Sequence, residues 1–228
     1  MDNIIDKCVL DQLSVWPMAA SNFRDLKNVE TRSLEVGGLE VRLQHNPARI
    51  RSSAAKVDKA SLQARKCFLC SENRPQEQIS MEFEGRKGRK YNILINPYPI
   101  FPEHLVIAIN THVPQSIWHR LPDMTDLARH HPSFTIFYNG PKCGASAPDH
   151  FHFQACPRGL MPLENDIDRL LDEKKAGKPA ETLTYLTSVQ DAELFHYAKF
   201  TKGVFVLAAT TSKSMAKLFY RLLDCLPQ

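Results

Sequence analysis

Residues 144–159 read GASAPDHFHFQACPRG, and the alternation inside this stretch decides the fold. His150, His152 and Gln154 alternate with Phe151, Phe153 and Ala155. Successive side chains of a β-strand point to opposite faces. The spacing therefore predicts a strand with two imidazoles and an amide on one face and two aromatic rings on the other. The rings anchor the strand to a core, and the polar face is held rigid, as a reaction site requires. The loop ahead of it, Gly140 to Asp149, contains Gly140, Gly144, Ser146, Pro141 and Pro148. Gly144 lets backbone N–H groups approach a ligand closely, and such a loop can line an anion. A solvated strand face, or one metal ion held by both imidazoles, would use the same residues.

Working outward, LEVGGLEVRLQHN turns at Gly37 and Gly38 and predicts a hairpin. EFEGRKGRKYNILIN predicts a second hairpin, followed by the proline-rich PYPIFPEH and the apolar strand HLVIAIN. FTIFYNG and GVFVLAAT read as further strands. Helices are expected near residues 5–30, over SIWHRLPDMTDLARHH, over PLENDIDRLLDEKKAG up to Gly177, and over SKSMAKLFYRLLDCL with Ser212 or Ser214 as its cap. Strands joined by turns, with helices between some of them, indicate an α+β fold with an antiparallel sheet.

The chain has 228 residues, enough for one sizeable domain, here read as residues 1–228 with 1–40 as an N-terminal extension and first hairpin. Lys and Arg exceed Asp and Glu by 29 to 25, a net charge of +4. That suits an anionic small molecule and is too weak to indicate a nucleic-acid groove. No stretch approaches the roughly 20 apolar residues of a membrane span, and the opening MDNIIDKCVLDQLSVW is too charged for a signal peptide. Six cysteines in a chain this long do not form a disulfide framework, so a reducing, cytoplasmic location is expected. Two of them, Cys67 and Cys70, have the C-x-x-C spacing of a metal knuckle, a spacing shared by two reduced buried thiols.

Imidazole is a good nucleophile near neutral pH and forms a phosphoramidate with phosphorus, splitting one displacement into two. Asn46 and Arg49, in HNPAR, can bind a nucleotide's phosphate or ribose, Arg49 through a bidentate contact. A solvated surface loop would look the same. Lys56 and Lys66 read as solvent charges, and RKGRK (86–90) as a solvated turn.

GASAPDHFHFQ resembles the His-x-His-x-Gln transferase branch of the histidine-triad (HIT) superfamily. LQHNPAR, YNILINPYPIFPEHLVI, MPLEN and TKGVFVLAATTSKSMAKLFYRLLDCL extend that resemblance from about residue 41 onward, most closely to the GDP-hexose phosphorylases. Galactose-1-phosphate uridylyltransferase and diadenosine tetraphosphate phosphorylase belong to the same branch. The resemblance implies a HIT-like antiparallel sheet flanked by helices. It implies that His152 is the nucleophile, that Gln154 holds the transferred phosphoryl group, and that His150 is the first histidine of the motif. It further implies phosphate ligands around Asn139 and Ser146, and a zinc site completed by His112 and His150 beside Cys67 and Cys70. The implied substrates are a nucleotide-sugar or dinucleotide with phosphate or a sugar phosphate as acceptor, and neither nucleic acid nor membrane as partner. A homodimer is compatible with it. One departure stands out: Asp149 separates Pro148 from His150, where uridylyltransferases place proline directly before the histidine. A HIT-type nucleotide hydrolase and a non-catalytic, zinc-stabilised nucleotide-binding protein are the alternatives. Gln154, which supplies no acidic proton, favours transfer over hydrolysis.

Overall fold

The computed structural model describes residues 2–49, 57–199 and 203–226. Lys56 and the rest of 50–56, and residues 200–202 ahead of the closing strand, lie outside them. The chain divides into two compact units, Met1–Glu30 with Gln44–Arg158 and Thr31–Leu43 with Gly159–Gln228. The sequence reading treats the same residues as one domain.

The first unit is built on a five-stranded sheet of order β3-β4-β5-β7-β6. Its strands are β3 (Met81–Glu84), β4 (Lys90–Ile95), β5 (Leu105–Ile109), β6 (Phe134–Phe137) and β7 (His152–Pro157), and every pairing is antiparallel. β4 and β5 are buried at almost every position because both faces of the sheet are covered. On one face Tyr91, Ile93, Ile95, Leu105, Ile107, Ile109, Phe151, Phe153 and Ala155 form the main core. Ile5, Val9, Trp16, Ala19 and Phe23 pack into it from α1 (Asp2–Val15) and α2 (Pro17–Asp25), and Leu127 from α4 (Leu121–His130). The helix expected near 5–30 is two helices, because Pro17 cannot continue α1 and instead opens α2. Buried Gln12 staples α1 to the chain ahead of β3: its amide donates to the Glu77 carbonyl (2.6 Å) and accepts from Ile79 N–H (2.5 Å).

The other face carries the site. Leu94, Ala108 and, half-buried, Val106 pack there with Cys67, Leu69, Cys70 and Ala147. The register sets His152 opposite Ala108 and Gln154 opposite Val106. A short helix, α3 (Lys59–Ala64), precedes the two cysteines and is capped by Asp58, which accepts from Ser61 N–H.

The second unit holds the β1–β2 hairpin (Glu30–Val36, Leu39–His45, with Glu30, Gln44 and His45 counted in the first unit) and a three-stranded sheet of order β10-β9-β8. Its helices are α5 (Pro162–Lys175) and α6 (Ser212–Asp224). The hairpin turns at Gly37 and Gly38, both at positive φ, as expected. β8 (Leu183–Val189) and β9 (Ala192–Tyr197) are strands that the sequence reading did not assign, and they pair with each other and with β10 (Val204–Ala208). α5 ends where expected, with Gly177 at φ +72° and its N–H on the Lys174 carbonyl. The cap of α6 is Thr211 rather than Ser212 or Ser214: the Thr211 hydroxyl accepts from Ser214 N–H. The α+β class with antiparallel sheets and flanking helices is borne out.

Candidate active site

His152 is the first residue of β7, and Phe151 and Phe153 are fully buried on the opposite side. His150 stands two residues ahead of His152 and just outside the strand proper. The polar face is far less open than its composition suggests, since His150 and His152 are both buried. The His152 ring lies with Nδ1 2.9 Å from the His150 carbonyl. A carbonyl only accepts, so Nδ1 carries the proton and Nε2 keeps its lone pair. Burial holds His152 below the ordinary histidine pKa, opposed in part by that same hydrogen bond, so the ring is neutral at pH 7. His152 is thus in its nucleophilic form.

The backbone of His152 is fixed by a side chain. Gln115 Oε1 accepts from His152 N–H (2.8 Å), and Gln115 Nε2 donates to the His152 carbonyl (3.0 Å) and to the Asn139 carbonyl (2.9 Å). β6 pairs with β7 only as far as Phe137 opposite Gln154, so Gln115 takes the place that a further strand residue would fill at His152.

His152 and Gln154 line a cavity of about 360 Å³ together with Trp16, Phe68, Leu94, Asn96, Tyr98 and Ser146, among others. Gln154 Oε1 is 2.9 Å from His104 Nε2. His104 is buried to 1% exposure and is held neutral, its pKa brought down to about 4 chiefly by burial and further by the charge of Arg49. Arg49 is half-buried, and its Nε has no hydrogen-bond partner among the described residues.

The remaining expected ligands are placed as follows. Ser146 lines the cavity. Asn46 spends its amide on the Pro99 carbonyl (3.5 Å), and Asn139 offers its carbonyl to Gln115. Neither lines the cavity, and Gly144 sits at φ +86° on an exposed turn away from it. Asp149, the departure from the uridylyltransferase pattern, pairs with Arg65 at 2.8 Å, and Arg65 in turn lies over the Phe68 ring.

Cys67, Cys70, His112 and His150 converge, one donor atom from each lying within 4.8 Å of the other three. Cys67 Sγ is 3.3 Å and Cys70 Sγ 3.5 Å from His150 Nδ1, and Cys70 Sγ is 3.2 Å from His112 Nδ1. His150 Nε2 donates to the Ile109 carbonyl at 2.7 Å, which leaves Nδ1 as the ligand atom and is the usual support of a metal-binding imidazole. Burial opposes the Cys67 thiolate, but His150 and the N–H groups of Leu69 and Cys70 outweigh it and bring the thiol down to about 6. Burial and the neighbouring Cys67 push Cys70 up. Two sulfurs and two imidazoles sharing protons at this spacing fit a divalent cation, which would displace those protons.

A family model described as a domain of unknown function, DUF4922, matches residues 9–157, more than half of the chain. The chain belongs to the DUF4922 family. The matched span contains the whole cavity, the Cys/His cluster and all of β7. This DUF4922 chain is 26% identical over 174 residues to a galactose-1-phosphate uridylyltransferase of Staphylococcus saprophyticus, covering 68% of the chain and 34% of the relative. It is also 26% identical over 135 residues to Protein APA1 of Saccharomyces cerevisiae, covering 53% and 40%. The chain therefore spans between a third and two fifths of these relatives. Among solved structures, yeast Ap4A phosphorylase Apa2 in complex with AMP matches with a TM-score of 0.55 at 18% identity, over 94% of this chain and 70% of that one. Its complex with Ap4A matches at 0.54 and 17%, over 93% and 74%. The expected resemblance to the transferase branch of the HIT superfamily is borne out, and with it the fold.

Sequence reasoning missed His104, Gln115 and Arg65. His104 reads as the opening residue of an apolar strand, and Gln115 stands just ahead of the segment read as helical, with no pattern of its own. Only Pro122 hinted that the helix begins later, at Leu121.

Proposed function

We propose that this chain transfers a nucleoside monophosphate from a nucleotide-sugar or dinucleotide to phosphate or a sugar phosphate, through a covalent nucleotidyl-His152 intermediate. The observation that carries this reading is the His152 ring, which lines the cavity together with Gln154, with Nδ1 engaged by the His150 carbonyl and Nε2 without a hydrogen-bond partner among the described residues. Nε2 attacks the α-phosphorus, the bond to the leaving sugar phosphate (from a nucleotide-sugar) or nucleoside polyphosphate (from a dinucleotide) breaks, and an oxygen of the incoming phosphate or sugar phosphate then displaces His152. Gln154 and the backbone near Ser146 stabilise charge on the phosphoryl oxygens. Arg49, half-buried and with no partner for its Nε among the described residues, is not among the residues lining the cavity, and its charge suits a phosphate of the substrate. The apolar wall of Phe68, Leu94 and Tyr98 suits a nucleobase.

The relatives are named as a uridylyltransferase and an Ap4A phosphorylase, and both names agree with nucleotidyl transfer. No acidic proton donor stands at Gln154, which favours phosphate acceptors over water. Cys67, Cys70, His112 and His150 would hold zinc in a structural role, clamping the Phe68–Leu69 wall to the start of β7. In this reading residues 1–228 work as one HIT-like transferase of the cytoplasm, where reducing conditions preserve the thiolates.

The test mixes the protein with α-³²P-labelled nucleotide-sugars and dinucleotides and follows label on the protein that is acid-labile and base-stable. Wild type is expected to label and His152→Ala to remain unlabelled while keeping its fold by circular dichroism. Equal labelling of the two, or full turnover by the variant, overturns the assignment.

A further inference from the structure

An amide side chain has two different arms, and only one of them can help a phosphoryl group. The Gln154 NH2 donates to a phosphoryl oxygen, whereas its carbonyl would repel it. We infer that His104 is a positioning residue that sets which arm of Gln154 faces His152: it takes the carbonyl and leaves the NH2 to the phosphoryl group. This rests on the nucleotidyl-transfer reading given above.

The geometry fixes the tautomer of His104 from its far side. Ile100 N–H points at His104 Nδ1 (3.3 Å), so Nδ1 accepts and carries no proton. A neutral imidazole then has its proton on Nε2, the atom 2.9 Å from Gln154 Oε1. Nε2–H can only donate, so Gln154 must turn its carbonyl towards it. Ring position is fixed as well: Phe101 meets the His104 ring edge-on at 5.6 Å, and Phe137 stacks on it at 6.2 Å. The residue's own carbonyl accepts from Asn96 N–H at 2.7 Å. Burial keeps the ring neutral far below pH 7, so the assignment holds through the physiological range. Were the proton on Nδ1 instead, the bare Nε2 would draw the Gln154 NH2 to itself and present a carbonyl to the substrate.

The test compares His104→Leu and His104→Gln, alone and combined with Gln154→Ala, with melting temperature measured for each. His104→Leu is expected to lower kcat by up to about 10²–10³-fold, the scale of one lost transition-state donor, with a smaller change in KM. His104→Gln, whose amide can donate at the same place, is expected to recover most of that loss. In the Gln154→Ala background His104→Leu should change kcat by no more than about 2-fold, since independent sites add within roughly 0.5 kcal/mol and this one has no target left. Multiplying losses, or an unaffected His104→Leu, overturns the inference. Ring ¹⁵N NMR of His104 reads the tautomer without any substrate. A proton on Nδ1 overturns the inference and leaves nucleotidyl transfer standing. Absence of label on wild type with every nucleotide defeats nucleotidyl transfer, while a proton on Nε2 still supports the orientation of Gln154.

Discussion

His152 shows how much of a side chain's state is set by its neighbours. Its tautomer comes from the His150 carbonyl, and its peptide is held on the β6 side by Gln115. Replacing Gln115 by Leu leaves a buried N–H and a buried C=O without partners. Each such group costs about 1–3 kcal/mol, so the midpoint of urea unfolding is expected to fall accordingly, and labelling of His152 should slow even where the fold survives. Stability equal to wild type would show that another group or water replaces the amide. The alternation of His150, His152 and Gln154 against Phe151 and Phe153 was legible in the sequence, because period two is a local signal. Gln115 and His104 were not, since each acts across 37 and 50 residues on a partner that no local pattern points to.

At the level of elements, strands with a buried face announced themselves and exposed ones did not. β4, β5 and β7 are apolar where the core demands it. β8 exposes Tyr185 and Leu186 and buries little beyond Leu183, so its sequence carries no clean alternation, and β9 was overlooked with it. The RKGRK turn between β3 and β4, read as solvated, is instead bound to α4. Asp123 is fully buried and accepts from Arg86 N–H (2.8 Å), Arg89 Nε (2.6 Å) and the Tyr91 hydroxyl (2.6 Å), while the Arg86 side chain pairs with Asp126. Gly85 lets the turn approach that carboxylate. A Cβ there would lie 2.8 Å from Tyr91 Cε2 and 2.9 Å from Asp123 Cγ. Gly85→Ala is therefore expected to destabilise by about 1–3 kcal/mol, the usual cost of forcing atoms into a packed site. Its φ is ordinary, so no backbone strain contributes. Urea unfolding of this variant checks the figure, and a gain in stability would mean that α4 yields to the methyl group.

On the scale of the molecule, the cavity beside His152 and the Cys/His cluster both belong to the first unit and both fall within the DUF4922 match. They are joined at two places, His150 and the 67–70 loop. His150 offers its side chain to the cluster and its carbonyl to His152, while Cys67 and Cys70 bracket Phe68 and Leu69 of the cavity wall. A cation bound here would thus hold together the 67–70 loop, the segment around His112 and the start of β7. A metal that binds only the folded state at about 1,000 times its Kd stabilises by about 4 kcal/mol. For a chain of this size that raises the unfolding temperature by on the order of 10 °C. The expectation is that protein purified without chelator contains one equivalent of zinc, that a chelator lowers its unfolding temperature by that order, and that Cys70→Ser reproduces the loss without chelator. Because the His150 side chain would then be held through the Ile109 carbonyl without the metal, the zinc-free protein should also label His152 more slowly. Elemental analysis and calorimetry decide the matter independently of activity. Wild type free of zinc, or zinc retained in full by Cys70→Ser, would show that the four residues form only a thiol–imidazole cluster.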